Sequence, residues 1–467
     1  MKNVALHNLG CKVNSYELDV MGQKLKDEGF TIVPFDEVAD IYIVNTCSVT
    51  NIADRKSRQM LHQAKKRNPK AIVVATGCYV QTGTEKVKAD EAVDLVIGNN
   101  RKKDIVPILK AYLECRQEDH ESVLSKAKDR KTLGDTTVID INHTDEYEEM
   151  TLETTTEHTR AYIKIQDGCN QFCSYCIIPY ARGRVRSRQM KDILGEVKGL
   201  VSNGYREIVL TGIHISSYGM DFDGKNNPAK GEAFDHTRLL KLLQELNQIH
   251  GLKRIRLGSL EPRIITEEFV KEMSKLSKLC AHFHLSLQSG CDETLQRMNR
   301  HYTTAEFLEK VRILRDYFEH PAITTDVITG FPGETEEEFA QTKAFLEQVC
   351  FYETHVFPYS MRKGTVAAAR KDQIVDGIKK QRSGQLLELD KQNSYDYREY
   401  YVGKKVEVLF EEEKEIQGQV YQIGHTKQYV MVAVKSTENL TGKTATGIVQ
   451  GFLQQDLLEI QNLQLTE

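Results

Sequence analysis

Three short apolar runs near the start, "NVALHNLG", "DIYIVNT" and "AIVVATG", are each followed by polar or amphipathic sequence, and this alternation constrains the fold more than any other feature of the chain. Strand followed by helix, repeated, is the pattern of an open parallel α/β sheet. In the first unit, "NSYELDVMGQKLKDEGF" reads as a helix with Leu18, Met21 and Leu25 on one face and with Asn14 and Glu17 as a candidate capping box. Cys11, Cys47 and Cys78 come just after the three strands, in "NLGC", "VNTC" and "ATGC". Ligands bind at the carboxyl ends of strands in such sheets, so the three loops are expected to meet on one edge. One cysteine there would read as a small buried hydrophobe; three at equivalent positions read as a site.

The alternation resumes with "AYIKIQD", "REIVLTG", "RIRLGS", "HFHLSLQS", "AITTDVITG" and "ETHVFPYS", separated by helical segments such as "MKDILGEVKGLVSNG" and "TEEEFAQTKAFLEQV". Six such units predict a partial (β/α)6 barrel rather than the full eight. In "GFPGETEEEF", Thr335 and Glu338 are placed to cap the next helix. A basic helical stretch leads into Gly-punctuated β-patterned runs from Val402 onward, which read as a small OB-like β-barrel. The expected division is an N-terminal domain over 1–114, an acidic connector over 115–157, a barrel over 158–400 and a terminal β-barrel over 401–467.

The opening residues hold no apolar run long enough for a signal peptide, and no later stretch reaches the ~18 to 20 apolar residues of a spanning helix. The expectation is a soluble, cytoplasmic protein with no membrane partner. Net charge is only −4, but Arg55 to Lys70 carries seven Lys or Arg and no acid, whereas Cys115 to Glu157 carries twelve acids against five bases. That asymmetry suits a nucleic-acid partner; it also suits an ordinary solvated helix face.

Residues 167 to 176, "DGCNQFCSYC", place Cys169, Cys173 and Cys176 in a C-x3-C-x2-C spacing after the first barrel strand. Ten cysteines in 467 residues fall far below the ~8 to 10% of a disulfide scaffold, and an odd number of clustered thiols cannot pair among themselves. Thiolates select zinc or iron–sulfur clusters. A zinc knuckle stays open as a reading, although the loop supplies no fourth ligand. Three thiolates can instead hold three irons of a cubane and leave the fourth iron to a small molecule. That iron could chelate S-adenosylmethionine and pass it one electron, giving a radical that abstracts hydrogen from an unactivated carbon.

Here the chain resembles the radical S-adenosylmethionine superfamily, whose signature is this spacing. "GCNQFCSYCIIPYARGRVRSR", "NLGCKVNSYE", "HLSLQSGC", "DVITGFPGET" and "YSMRKGT" are similar to segments of its methylthiotransferases, and the last β-rich segment is similar to their TRAM domain. The resemblance covers nearly the whole chain. It implies two [4Fe-4S] clusters, one on Cys11, Cys47 and Cys78 that supports sulfur insertion, the other on Cys169, Cys173 and Cys176 that generates the radical. It also implies S-adenosylmethionine, an electron-donor protein and the tRNA anticodon stem-loop as partners.

"GCKVNSYE" and "IIPYARG" are most similar to the MtaB-type branch, which implies methylthiolation of C2 of N6-threonylcarbamoyladenosine. Sister branches acting on isopentenyladenosine or on a ribosomal-protein aspartate remain alternatives, as does a metal-stapled RNA-binding protein. Polar residues at barrel strand ends are candidates for holding S-adenosylmethionine: Thr211, Gly212, Ser259, Glu261, Gln288 and Asp326. Each could equally cap or turn the chain. Arg182, Arg184, Arg186 and Arg188, at alternate positions, could grip phosphates from one face or form salt bridges. The terminal segment from Val402 has six Lys against nine acids, so RNA contact there would need a local patch or stacking by Tyr421 or Tyr429, with the basic stretches 55–70 and 362–405 supplying charge. Cys115, Cys280, Cys291 and Cys350 fit no ligand pattern.

Overall fold

The computed structural model describes residues 2–118, 131, 133, 137–154, 159–224, 228–230 and 232–466; much of the acidic connector expected over 115–157 lies outside these. Strands β1 (Asn3–Asn8), β2 (Thr31–Val33), β3 (Ile41–Thr46), β4 (Ile72–Gly77) and β5 (Leu95–Ile97) form one parallel sheet in the order β2-β1-β3-β4-β5. β3 and β4 are buried on both faces, which is why their sequences read as continuous apolar runs. The register pairs Asn8 with Asn45 and Thr46 with Gly77, so β1, β3 and β4 end level and their three cysteine loops leave from one edge. The short β2 and β5 flank the strands read from the sequence.

The central unit has β6 (Arg160–Asp167), β7 (Arg186–Ser187), β8 (Glu207–Gly212) and β9 (Arg254–Leu257) in the order β7-β6-β8-β9, and β10 (His282–His284), β11 (Ala322–Thr329) and β12 (Glu353–Pro358) in sequence order. Parallel bridges Ile255–Leu279 and Leu260–Leu285 join the two sheets. The six expected strands are therefore all present and run parallel as an open barrel, with β7 an antiparallel addition at its edge.

Helix α1 (Lys12–Asp27) lies between the first sheet and β6, and one apolar cluster runs from Val4, Tyr16 and Ile41 through Ile163, Ile208 and Ile323. Three further helices matter below: α2 (Asn51–Arg67), α3 (Cys78–Thr82) and α4 (Ile178–Arg182). The capping box expected at Thr335 and Glu338 is formed. That expected at Asn14 and Glu17 is not: the N-cap of α1 is Cys11, three residues earlier, and both side chains are buried in the domain interface.

β13 (Lys405–Ile416), β14 (Gln419–His425), β15 (Met431–Lys435), β16 (Thr444–Gln454) and β17 (Leu457–Thr466) close into a five-stranded barrel in the order β13-β14-β15-β17-β16. Its β14–β15 loop sits against the amino ends of the central strands. Arg254 Nη1 donates to His425 O at 2.8 Å and Arg256 Nη1 to Lys427 O at 3.0 Å, while Tyr429 stacks between His282 and His425 at 5.1 and 4.5 Å. Among the described residues no helix is long and apolar enough to cross a membrane.

Candidate functional site

The first cysteine set is built by glycines. Gly10 and Gly77, each preceding a cysteine, have φ of 111° and 98°, a region an L side chain rarely adopts. A Cβ on Gly10 would stand 2.9 Å from Cys47 Cβ, and one on Gly77 only 2.5 Å from Thr46 O. Cys11 therefore opens α1, Cys78 opens α3, and Cys47 lies between them, held through Ser57 Oγ, which accepts from Cys47 N and donates to Cys47 O. Burial pushes the Cys47 thiol up to about 12, with Cys78 and Cys11 adding to the shift; burial also raises Cys11, and Cys78 adds to it while Arg182 opposes. Asn99 Nδ2 lies 3.7 Å from Cys78 Sγ and 2.7 Å from Ala181 O on α4.

The second set follows β6. Gly168 has φ of 70°, and a Cβ there would fall 1.8 Å from Arg184 O. Cys169 N donates to Gly183 O at 3.0 Å, Ser174 N to Met298 O at 3.0 Å, and Asn299 Nδ2 to Phe172 O at 3.0 Å, so neighbouring loops clamp the cysteine loop. Arg300 Nη1 lies 3.4 Å from Cys173 Sγ, and Gln171 N lies 3.5 Å from Cys169 Sγ. Burial pushes Cys169 up to about 12 and Cys176 well above its ordinary value, and the neighbouring thiols add to both.

Both sets fit iron–sulfur ligation. Each offers three free cysteine sulfurs, the soft ligands such clusters take. The thiols would lose their protons on meeting a metal, and Arg300 and the Gln171 N–H stand ready for the thiolate charge of the second set.

A buried ion network joins the two sets. Arg182, the last residue of α4, donates to Glu17 Oε1 and Oε2 at 2.9 and 3.0 Å, to Asp167 Oδ1 and Oδ2 at 3.0 and 3.1 Å, and to Asn14 Oδ1 at 2.6 Å. Lys164 Nζ reaches Glu17 Oε1 at 2.8 Å and Asp167 Oδ2 at 3.0 Å, and Lys102 pairs with Glu17. Burial alone would raise Glu17 and Asp167, but Arg182 with Lys164, and Lys102 at Glu17, outweigh it and hold both carboxyls well below the usual range. Asp167 Oδ1 also accepts from Gly168 N, and Asn14 Nδ2 donates to Leu9 O and Thr46 O. The network thus grips the turns on both sides. No local pattern marks it in the sequence, since Glu17 and Arg182 are 165 positions apart.

It also decides between the two readings of "ARGRVRSR" in favour of salt bridges. Arg182, Arg186 and Arg188 are buried counter-charges, Arg188 serving Glu149 and Glu196; only Arg184 is exposed, its guanidinium 4.5 Å from the Phe172 ring centroid. Tyr421 is core and Tyr429 is spent at the barrel junction, with Arg160 and Arg256 packed on its ring, so stacking on RNA by either is not supported. On α2, Lys65 and Arg67 are engaged by Asp94 and Phe35 O, whereas Arg55, Lys56 and Lys66 are exposed. Arg362 is likewise tied, to Ser48 and Asp54.

A cavity of about 260 Å³ opens beside Cys176, lined also by Gln288, Asp326 and Phe357 and by Val49 and Thr50, the second and third residues after Cys47. Of the residues expected to hold S-adenosylmethionine, Gln288 and Asp326 line it. Thr211 and Gly212 end β8; Ser259 is exposed; Glu261 is buried, with its carboxylate accepting from Arg263 Nε at 2.9 Å. Arg300, Asn99 and the Glu17–Arg182–Asp167 cluster are the neighbours of the cysteines that sequence reasoning missed.

Comparison with known proteins agrees with this architecture. The radical SAM superfamily matches residues 163–346, and an uncharacterized protein family, UPF0004, matches residues 3–98. The chain is 39% identical over 446 residues to the threonylcarbamoyladenosine tRNA methylthiotransferase MtaB of Bacillus subtilis, covering 95% of this chain and 92% of that protein. It is 39% identical over 413 residues to the protein of the same name from Aquifex aeolicus, covering 88% and 94%. It is 33% identical over 476 residues to a tRNA-2-methylthio-N(6)-dimethylallyladenosine synthase of Thermoanaerobacter, covering 100% and 91%. In fold it resembles the radical S-adenosylmethionine methyltransferase TsrM of Kitasatospora setae, with a TM-score of 0.51 at 15% identity over 79% of this chain and 77% of that one.

Proposed function

The chain belongs to the tRNA methylthiotransferases of the radical S-adenosylmethionine superfamily, and on that premise we propose that its substrate is N6-threonylcarbamoyladenosine beside the anticodon, converted to the 2-methylthio nucleoside. Members of this family use S-adenosylmethionine and two [4Fe-4S] clusters. In this reading Cys169, Cys173 and Cys176 hold one cluster and Cys11, Cys47 and Cys78 the other. When bound, the first supplies the electron that cleaves S-adenosylmethionine and the second supports sulfur insertion.

The protein's own residues do the rest. The cavity beside Cys176, with Val49 and Thr50 on its wall, receives the reacting base. Gln288, whose N donates to Asp326 O at 2.8 Å, presents its amide at the cavity wall. Arg300 offsets thiolate charge at Cys173, and Arg182 does so at Cys11. The exposed bases of α2, Arg55, Lys56 and Lys66, offer charge for the tRNA backbone.

The observation that carries the substrate choice is the 39% identity over nearly the full length of both chains to the Bacillus subtilis threonylcarbamoyladenosine enzyme. The apolar wall of Val49, Ile177, Ile178, Ile328 and Phe357 favours a second reading, a dimethylallyladenosine. Mass spectrometry of tRNA nucleosides from cells lacking the gene separates them. Loss of 2-methylthio-threonylcarbamoyladenosine, restored by the gene but not by its Cys47→Ser or Cys176→Ser variant, is expected. Loss of the 2-methylthio-dimethylallyl nucleoside alone would overturn it.

A further inference from the structure

β10, β11 and β12 bring three ligating side chains to one place. The register sets His284 beside Thr324 and Asp326 beside His355, so His284, Asp326 and His355 occupy neighbouring strands, and one ligand atom from each lies within 4.8 Å of the other two. The His284 and His355 rings stack with centroids 5.7 Å apart and planes 21° apart. His284 Nε2 stands 3.2 Å from Asp326 Oδ2, yet it is buried and makes no hydrogen bond. A simple histidine–carboxylate pair would aim N–H at oxygen; here the nitrogen faces the carboxylate without the alignment of a hydrogen bond, and a buried polar atom so placed is accounted for by an unseen ion or water.

We propose that His284, Asp326 and His355 bind one divalent first-row transition-metal cation. Two imidazoles and one carboxylate form a three-ligand set that leaves coordination positions open, as zinc and non-haem iron sites with exchangeable ligands do. The outer support such a site needs is present: Thr324 Oγ1, on a buried residue, lies 3.0 Å from His284 Nδ1 and can accept a hydrogen bond from its N–H, which leaves the Nε2 lone pair for the metal. Asp326 also lines the cavity shared with Cys176 and Gln288, so the cation sits at the border of that chamber and is distinct from both cysteine sets. The site does not depend on which nucleoside the enzyme modifies.

The test uses the cluster-loaded full chain, stripped of loosely held metal and dialysed against Zn2+. One Zn2+ per chain above the iron inventory is expected, with X-ray absorption showing nitrogen or oxygen neighbours at about 2.0–2.1 Å. His355→Ala, at an exposed position, and His284→Ala should each abolish it, and Thr324→Val should weaken binding about 10-fold or more. Circular dichroism checks that the variants fold. Sulfur neighbours at about 2.3 Å, unchanged stoichiometry in both histidine variants, or no zinc bound by the parent would overturn the proposal.

Discussion

Replacing Arg182 by Met removes the one cation that touches both Glu17 and Asp167 with two hydrogen bonds each, and it strands Asn14 Oδ1. Breaking a buried ion cluster by deleting one partner costs about 3–5 kcal/mol. The lower end applies here, because Lys102 and Lys164 still face the two carboxylates and the remaining charges balance. At about 2–4 °C per kcal/mol for domains of this size, 3 kcal/mol lowers the melting temperature of the cluster-free protein by about 6–12 °C. The sign with pH follows from the depressed carboxyls: their contribution is complete above the ordinary carboxylate range and is lost as pH falls through their lower folded values. Deprived of Arg182, they protonate sooner, so the variant's acid melting starts at a higher pH than the parent's. Calorimetry between pH 3 and 7 measures both. A fall under 2 °C, or a Glu17→Gln change that costs the same with and without Arg182, would refute the claim that these residues act as one cluster.

Gly77→Ala forces a Cβ to 2.5 Å from Thr46 O at a left-handed position, so the loop before Cys78 must shift. Iron content is expected to fall from about eight to about four per chain with the second cysteine set still loaded, and eight irons retained would contradict the assignment. Reversing charge at Arg55, Lys56 and Lys66 together, all exposed on α2, should reduce the slope of tRNA affinity against salt by about one for each phosphate these side chains neutralise. An unchanged slope removes α2 from the RNA-binding face.

Much of the chain's organisation is legible locally. Apolar runs mark the strands that matter, and the Thr335–Glu338 box forms because the helix start and its cap lie within one turn. An identical kind of signal at Asn14 and Glu17 misled, because the Gly10 turn starts α1 at Cys11 and puts both side chains opposite an arginine that the chain reaches much later. Alternating arginines likewise say nothing about whether they face phosphates or buried carboxylates; Asp167 and Glu196 decide that, and only folding brings them together. The short β2 and β5 and the terminal β17 escaped notice for a related reason. Their pairing partners, not their own patterns, make them strands. Cys11, Cys47 and Cys78 are legible as a set because each follows a strand whose end the sheet aligns, and Cys169, Cys173 and Cys176 because one loop carries all three.

Glu17 has one counter-ion within its own sheet domain, Lys102, and two supplied from β6 and α4. The amino-terminal sheet domain is therefore not a portable module. Grafted onto a foreign radical-generating barrel that covers the same face, it would carry a solvent-starved anion short of two partners, and any successful chimera must transplant Lys164, Asp167 and Arg182 along with it.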